Sequence, residues 1–266
     1  MRKKVLLAAL ALVFALALVV PASAITGGTP DGDDHPYVGT IWWPIPGMEG
    51  WYSLCSASAI SPTKLVTAGH CAPDGDAVEV LFQYQGAFWG YYTATFHRHP
   101  EYCENCAPGL PGFINNDVAV VILDAVQAYS LPSLPSYAQL PTEGLVDTLK
   151  MNTPIDLVGY GVQKRVHIPG EGAPFWTHEA FTRYYAPTEL LAANFVHSDR
   201  FIKMRANASQ GSGGTCFGDS GGPNLLDGTN TILAVNSYVT NSNCAGVVYS
   251  NRIDTSSALT FINSIN

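Results

Sequence analysis

Sustained helical periodicity is missing from this 266-residue chain. Outside a short segment near the end, Ser256–Ile265, no stretch repeats apolar residues at the spacing of an amphipathic helix, which argues against an architecture of long helices. Charge is also scarce. Asp, Glu, Lys and Arg make up 13% of the residues, and acidic side chains outnumber basic ones by 21 to 13. A chain so short of cations is poorly suited to phosphate backbones and anionic lipid, so nucleic acid and membrane partners are set aside. There is no internal repeat, and no His-Glu-x-x-His helix of a metal-dependent hydrolase. Only one long apolar run occurs, Val5–Val20, preceded by Arg2, Lys3 and Lys4 and followed by Ala22-Ser23-Ala24. A positive start, an apolar core and a small-x-small ending predict a secretory signal peptide over residues 1–24. The run is shorter than a comfortable membrane span, and no stop-transfer segment follows it. Cleavage there leaves 242 residues with ten basic and twenty-one acidic side chains, a formal charge of −11, on an exported protein.

What the chain does contain is Gly, Pro, Ser, Thr, Val and Tyr, the materials of short strands joined by turns. Strand-like runs fall at Tyr37–Trp43, Cys55–Ile60, Lys64–Ala68, Ala77–Tyr84, Phe88–Phe96 and Val118–Leu123. The segment Leu131–Pro141, with three prolines, interrupts the series as a linker. Strands resume at Pro154–Tyr160, Phe201–Met204, Thr231–Val239 and Ala245–Ile253. The pattern predicts an all-β protein of barrels or sandwiches, in halves of about 25–135 and 145–266. Six cysteines in an exported chain predict three disulfides, with fifteen connectivities open on count alone.

The densest chemical signal is Gly218-Asp219-Ser220-Gly221-Gly222-Pro223. A serine hydroxyl is a weak nucleophile that needs a general base, a group to orient the base, and donors for an oxyanion. Flanking glycines let backbone N–H groups face a substrate oxygen without obstruction. The string also satisfies the Gly-x-Ser-x-Gly elbow of α/β hydrolases, which place their histidine after the serine. Here the histidines are His35, His70, His97, His99, His167, His178 and His197, all upstream of Ser220. His70 closes the apolar run Leu65-Val66-Thr67-Ala68-Gly69-His70-Cys71, pinned by a cysteine.

Thr67-Ala68-Gly69-His70-Cys71, Asn116-Asp117-Val118-Ala119-Val120 and Gly218–Pro223 together resemble the three signatures of the chymotrypsin-like (trypsin-fold) serine proteases. Ile25-Thr26-Gly27-Gly28 resembles the mature amino terminus of that family. The resemblance runs from residue 25 to the final helix. It implies two antiparallel Greek-key β-barrels with the active site in the cleft between them, a connecting segment, and a short C-terminal helix. It implies Ser220 as nucleophile, His70 as general base and acid, Asp117 as the orienting carboxylate, and the N–H groups of Gly218 and Ser220 as the oxyanion hole. Ser237-Tyr238-Val239 matches the edge that pairs with a substrate backbone.

The resemblance also implies the bridges Cys55–Cys71 and Cys216–Cys244, each closing a loop of sixteen residues or more and contributing about 3 kcal/mol in the chain-entropy picture. Cys103 and Cys106 are left to each other, a bridge without a family counterpart. Six residues before the nucleophile, at the base of the primary pocket, stands Gly214 and not a carboxylate. Val239 replaces one wall glycine, and the other wall falls at Gly246 or Val247. Phe217 overhangs the entrance. A shallow apolar pocket preferring Ala, Val or Leu at P1 is expected, with poor cleavage after basic residues. Ile25, exposed by signal cleavage with no separate propeptide, would pair its amino group with Asp219. The implied molecule is a secreted, monomeric endopeptidase acting on proteins or peptides, with no cofactor and no metal. The alternative is a non-catalytic, protein-binding relative, although such relatives usually lose a triad residue.

Several features have simpler readings. Cys103-x-x-Cys106 could be a redox pair or half a zinc site, with His97 and His99 nearby, but an oxidising compartment favours a structural disulfide. His97-Arg98-His99 reads as a solvated strand end. Asp31-Gly32-Asp33-Asp34 lacks the spacing of a calcium loop and reads as a surface turn. Asn207-Ala208-Ser209 fits a glycosylation triplet. The aromatic residues read as packing, not as a carbohydrate platform.

Overall fold

The computed structural model describes residues 25–50, 52–104, 106, 114–124, 134–166, 175–177, 182–192 and 200–266. The expected signal peptide (1–24), the start of the proline-rich linker (131–133) and His167, His178 and His197 lie outside these residues. The chain opens with β1 (Thr29–Pro30), β2 (Val38–Pro44), β3 (Tyr52–Ala59), β4 (Lys64–Thr67), β5 (Ala77–Tyr84) and β6 (Ala87–Arg98). A two-stranded ribbon of β7 (Cys103–Glu104) and β8 (Ile114–Asn115) precedes β9 (Ala119–Leu123). The order β2-β3-β4-β9-β6-β5 closes into a six-stranded antiparallel barrel. Alternation builds its wall: Val78, Val80 and Phe82 of β5 are buried in the core, Ala77 and Glu79 are more open, and Leu81 is covered from the other face.

The second half supplies β10 (Pro154–Gly159), β11 (Lys164–Val166), β12 (Phe175–Thr177), β13 (Tyr184–Ala192), β14 (Phe201–Ala206), β15 (Pro223–Leu226), β16 (Ile232–Val239) and β17 (Gly246–Arg252). Strands β13-β10-β15-β16-β17-β14 form a ladder that returns to β13, a second six-stranded barrel. Strands β11 and β12 pair with each other apart from it. Two strands of the barrel, β13 and β15, are absent from the sequence expectation. Each carries a proline, Pro187 inside β13 and Pro223 at the start of β15, and proline normally demotes a strand. Pro187 is nonetheless paired opposite Asp156, and its carbonyl accepts from the N–H of Gly213.

The two ends of the chain cross between the barrels. Strand β1 joins the second barrel, pairing Thr29 with Tyr185, whereas β2 belongs to the first. Helix α1 (Ser256–Ser264) follows the last strand of the second barrel, yet Ala258, Phe261 and Ile262 pack into the core of the first. Thr255 caps α1 by accepting from the Ala258 N–H, 3.3 Å. The linker is fastened to both halves: Ala138 donates to the carbonyl of Ala59 and Gln139 to that of Asn230.

Two surface readings are corrected by this packing. His99 is buried, because α1 covers it: its ring lies 4.8 Å from that of Phe261, and its Nε2 is 3.1 Å from the Ser257 hydroxyl. Burial pushes its pKa down. Asp33 and Asp34 are exposed, as a surface turn requires, but Asp31 is buried. The reason is Arg183, which is fully buried just before β13. Its Nε donates to Asp31 Oδ2 at 2.6 Å, while the other guanidinium nitrogens reach the carbonyls of Gly32, Val38 and Gln83 and the hydroxyl of Tyr160. One cation thus ties the N-terminal segment, the first barrel and the second barrel together. A buried charge that loses its partner is left uncompensated, at a cost of about 3–5 kcal/mol. Asp31→Asn, which strands the Arg183 guanidinium, should lower unfolding free energy by about 3–5 kcal/mol in a denaturant titration, and Arg183→Met should cost less, because Asp31 keeps its His35 partner.

Candidate active site

Strand β4 ends in a 3-10 turn, Gly69–Cys71, that carries His70 to the edge of the first barrel. Gly69 is required there: a Cβ would stand 2.8 Å from the ring of Tyr102 and 3.3 Å from the N–H nitrogen of Val118. The Cys55–Cys71 bridge fixes the turn to β3. His70 is held twice by Asp117. Its backbone N–H donates to Oδ1 at 2.8 Å, and its Nδ1 lies 2.8 Å from Oδ2. Asp117 is fully buried, and Oδ2 also accepts from the Ser237 hydroxyl at 2.6 Å. The His70 side chain remains 24% exposed, which leaves its far edge open. Burial disfavours the imidazolium, but the charge and hydrogen bond of Asp117 outweigh it and raise the His70 pKa.

Ser220 stands on a tight turn of the second barrel. The N–H of Asp219 donates to the Cys216 carbonyl, and that of Gly222 to the Asp219 carbonyl. Gly218 and Gly221 have φ of +93° and +76°. Gly221 is also crowded: a Cβ would come within 2.0 Å of Thr67 Oγ1 and 2.6 Å of the Ser56 carbonyl, so the turn is pressed against the first barrel. The Ser220 carbonyl accepts from the Ser56 N–H at 2.8 Å, and the Ser56 hydroxyl donates to the Gly218 carbonyl at 3.0 Å. Among the described residues, neither the Gly218 nor the Ser220 N–H donates to a backbone carbonyl.

His70 and Ser220 line one cleft of about 500 Å³ with Phe217, Ser237, Tyr238 and Val239. Strand β16 pairs with β15 only as far as Val235, and beyond that point Ser237, Tyr238 and Val239 line this cleft. Phe217 is 49% exposed at its mouth. Gly214 lies behind the lining. A Cβ on it would meet that of Ala206 at 2.6 Å, and its carbonyl accepts from Thr26 Oγ1. Thr215 and Thr240–Ser242 stand in the lining instead, and Gly246 and Val247 do not. The sequence offered no signal for these wall residues, because Thr215 and Thr240–Ser242 carry no motif and meet only through the fold. Nor did it assign the Ser237 hydroxyl to Asp117, a contact created only when β16 reaches the first barrel. The Cys216–Cys244 bridge joins the Ser220 turn to this wall.

Asp219 is fully buried. Its oxygens accept from the N–H groups of Gly161 and Cys216, at 2.8 and 2.9 Å, and among the described residues no cation pairs with it. Burial pushes its pKa up to about 7. Ile25 is buried in the core of the second barrel, and Thr26 is bridged to Gly214. Among the described residues, the one grouping with metal-ligand spacing is Cys55, His70 and Cys71, whose two sulfurs are bonded to each other.

Two six-stranded antiparallel barrels with such a cleft define the fold class of the chymotrypsin-like serine proteases. The chain belongs to the trypsin family, whose model matches residues 27–262. Over 208 residues, 71% of the chain, it is 28% identical to coagulation factor XII of Cavia porcellus, and it spans about a third of that protein's length (31%). The fold is similar to that of HL collagenase, with a TM-score of 0.65 at 18% identity over 92% of this chain and 97% of that one. Among the described residues no helix is long and apolar enough to cross a membrane.

The His70–Asp117 pair has a measurable signature. A histidine with a raised folded pKa contributes stability that is present below its unfolded value, near 6.5, and is lost as pH rises through the folded value. Asp117→Asn removes the charge and hydrogen bond that do most to raise it and leaves burial, so the His70 titration midpoint, followed by NMR, should fall.

Proposed function

We propose that this protein is a secreted serine endopeptidase that hydrolyses peptide bonds through an acyl-enzyme. The observation that carries the reading is the doubly held His70, fixed by Asp117 and open toward a cleft it shares with Ser220. The roles are inherited from the well-worked chemistry of the family. Ser220 Oγ attacks the scissile carbonyl, and His70 takes its proton and later delivers it to the leaving amine. Asp117 holds the imidazole tautomer and stabilises the imidazolium. The Gly218 and Ser220 N–H groups receive the oxyanion, and losing one such donor costs about 3–4 kcal/mol of transition-state stabilisation. Substrate backbone adds along Ser237-Tyr238-Val239. The working form is a monomer, exported by the signal peptide over residues 1–24, and needs no metal or cofactor.

For specificity, the cleft lining contains no acidic side chain among the described residues, and Val239 forms part of one wall. A small or aliphatic P1 residue fits, and Arg or Lys finds no counter-charge. A fluorophosphonate should label Ser220 in the purified mature protein, and esters of Ala or Val should be cleaved at least tenfold faster than an Arg ester. Absence of labelling would favour the non-catalytic, protein-binding alternative. Comparable Arg-ester turnover would reject the pocket assignment.

For activation, cleavage after Ala24 gives Ile25 a free amino group that pairs with Asp219 and sets the loop around Gly218. A buried carboxyl whose pKa is raised in the fold opposes folding once it ionises. In a chain lacking that amino group the penalty is absent below about pH 4 and complete above about 7, the interval between the ordinary and raised values. Pairing reverses the sign for the mature form. There the amine, ordinarily near pKa 7.7–8.0, is raised, and the stabilisation persists until pH passes that raised value. A variant with one Ala before Ile25 should therefore lose melting temperature between pH 4 and 7 where the mature protein does not, and should turn over poorly. Near-native turnover in this variant, or in folded Asp219→Asn, would show that the terminus does not set the site.

A further inference from the structure

The bridge Cys103–Cys106 has no counterpart in the family frame and no role in the site described above. It lies in the β7–β8 ribbon, where Cys103 pairs with Asn115, two residues before Asp117. On its other side is Tyr102, whose ring occupies the space beside Gly69 next to His70. The Tyr102 hydroxyl donates to Glu104 Oε1 at 2.8 Å, and the Arg98 guanidinium lies 4.2 Å over its ring. The ribbon thus links the segment behind His70 to the segment that carries Asp117.

We infer that Cys103–Cys106 is a thiol–disulfide exchange site for an external dithiol, and that opening it changes the setting of His70. Three observations carry this. First, Cys106 is exposed and Cys103 half-buried, whereas the other four cysteines are buried. Second, the bridge spans a separation of 3 residues against 16 and 28 for the others, so it closes the smallest loop, contributes least to the stability of the fold, and can open without releasing either barrel. Third, Asn115 Nδ2 donates to Cys106 Sγ at 3.2 Å while Asn115 Oδ1 accepts from Arg200 Nη1. The cation polarises the amide toward the sulfur, which stabilises a thiolate at Cys106 and makes it the better leaving group.

The step balances. A thiolate of the dithiol attacks Cys103 Sγ, the bridge breaks, and Cys106 leaves as a thiolate. The second thiol of the reductant then attacks the mixed disulfide, releases Cys103, and closes a cyclic disulfide on the reductant. Two electrons and two protons pass to the protein. With the bridge open, Cys103 and Glu104 are held to the strand leading to Asp117 by the β7–β8 backbone pairing alone, without the added hold of the Cys106 sulfur on Asn115, so Glu104 can move relative to His70. The charged groups that face His70 are Asp117, Arg98 and Glu104, and Glu104 acts to raise its pKa. Moving Glu104 away should shift the acid limb of kcat/KM toward lower pH. The coupling to turnover rests on the protease reading above, but the exchange itself does not.

The test treats the mature protein with graded dithiothreitol, quenches with iodoacetamide and maps the alkylated cysteines. Fluorophosphonate labelling and the His70 NMR titration are run in parallel. Cys103 and Cys106 should be alkylated at a reductant concentration at least tenfold below that needed for the other four, and Asn115→Ala should narrow the gap. At that concentration kcat/KM should change several-fold, with the acid limb lowered. Modification of all six cysteines together, or of this pair last, overturns the inference. Selective opening with an unmoved His70 midpoint and unchanged turnover overturns the coupling. The double variant Cys103→Ser/Cys106→Ser should be deaf to the reductant; if it responds as the parent does, the effect belongs to another bridge. Failure of the oxidised protein to take the fluorophosphonate would sink the protease reading alone, because alkylation and the His70 titration still read the exchange.

Discussion

The arrangement depends on one buried cation. Arg183 sits where the N-terminal segment and the two barrels meet, and it meets a carboxylate, three carbonyls and a hydroxyl drawn from all three. A guanidinium has five donors in a fixed fork, so it can satisfy several chain segments at once from a single position. Because it reaches into all three segments from one buried position, losing it would leave several of them short of a donor, which favours one relative placement of the barrels. That placement brings the His70 turn of the first barrel against the Ser220 turn of the second.

The close approach at that seam is made possible by absent side chains. Gly221 leaves no room for a methyl group against Thr67 and Ser56, and Gly69 leaves none against Tyr102. The polar ties that result run both ways: Ser56 of the first barrel holds Ser220 and Gly218 by their carbonyls, and Ser237 of the second barrel holds Asp117 by a carboxylate oxygen. The site is therefore a joint product of two barrels, and neither barrel has it alone.

Two buried carboxylates in the site live in opposite environments. Asp117 accepts hydrogen bonds from His70 and Ser237, and its charge supports an imidazolium. Asp219 has two backbone donors and no cation among the described residues, and burial drives it toward the neutral form. The contrast follows from partners, not from depth, since both are fully buried. Asp117 is thus met by side chains of both barrels, and Asp219 by backbone N–H groups.

Much of this was legible in the residues themselves. Alternating apolar residues located β5, β6, β16 and β17 closely, and three motifs in order located His70, Asp117 and Ser220 together with the family, because strand pattern and motif spacing are local properties of a chain. The sequence also carried the low charge and the pairing-ready cysteines. It did not carry what depends on the meeting of distant segments. Prolines hid β13 and β15, since only the ladder shows that Pro187 and Pro223 sit where their missing N–H groups can be spared. Asp31 and His99 looked like surface residues until Arg183 and α1 arrived from more than a hundred residues away to bury them. The wall of the cleft, with Thr215 and Thr240–Ser242 in place of Gly214, was decided by how the Cys216–Cys244 bridge drapes its loop. Burial and electrostatic partnership belong to three-dimensional proximity, and in an antiparallel barrel most such neighbours lie far apart along the chain.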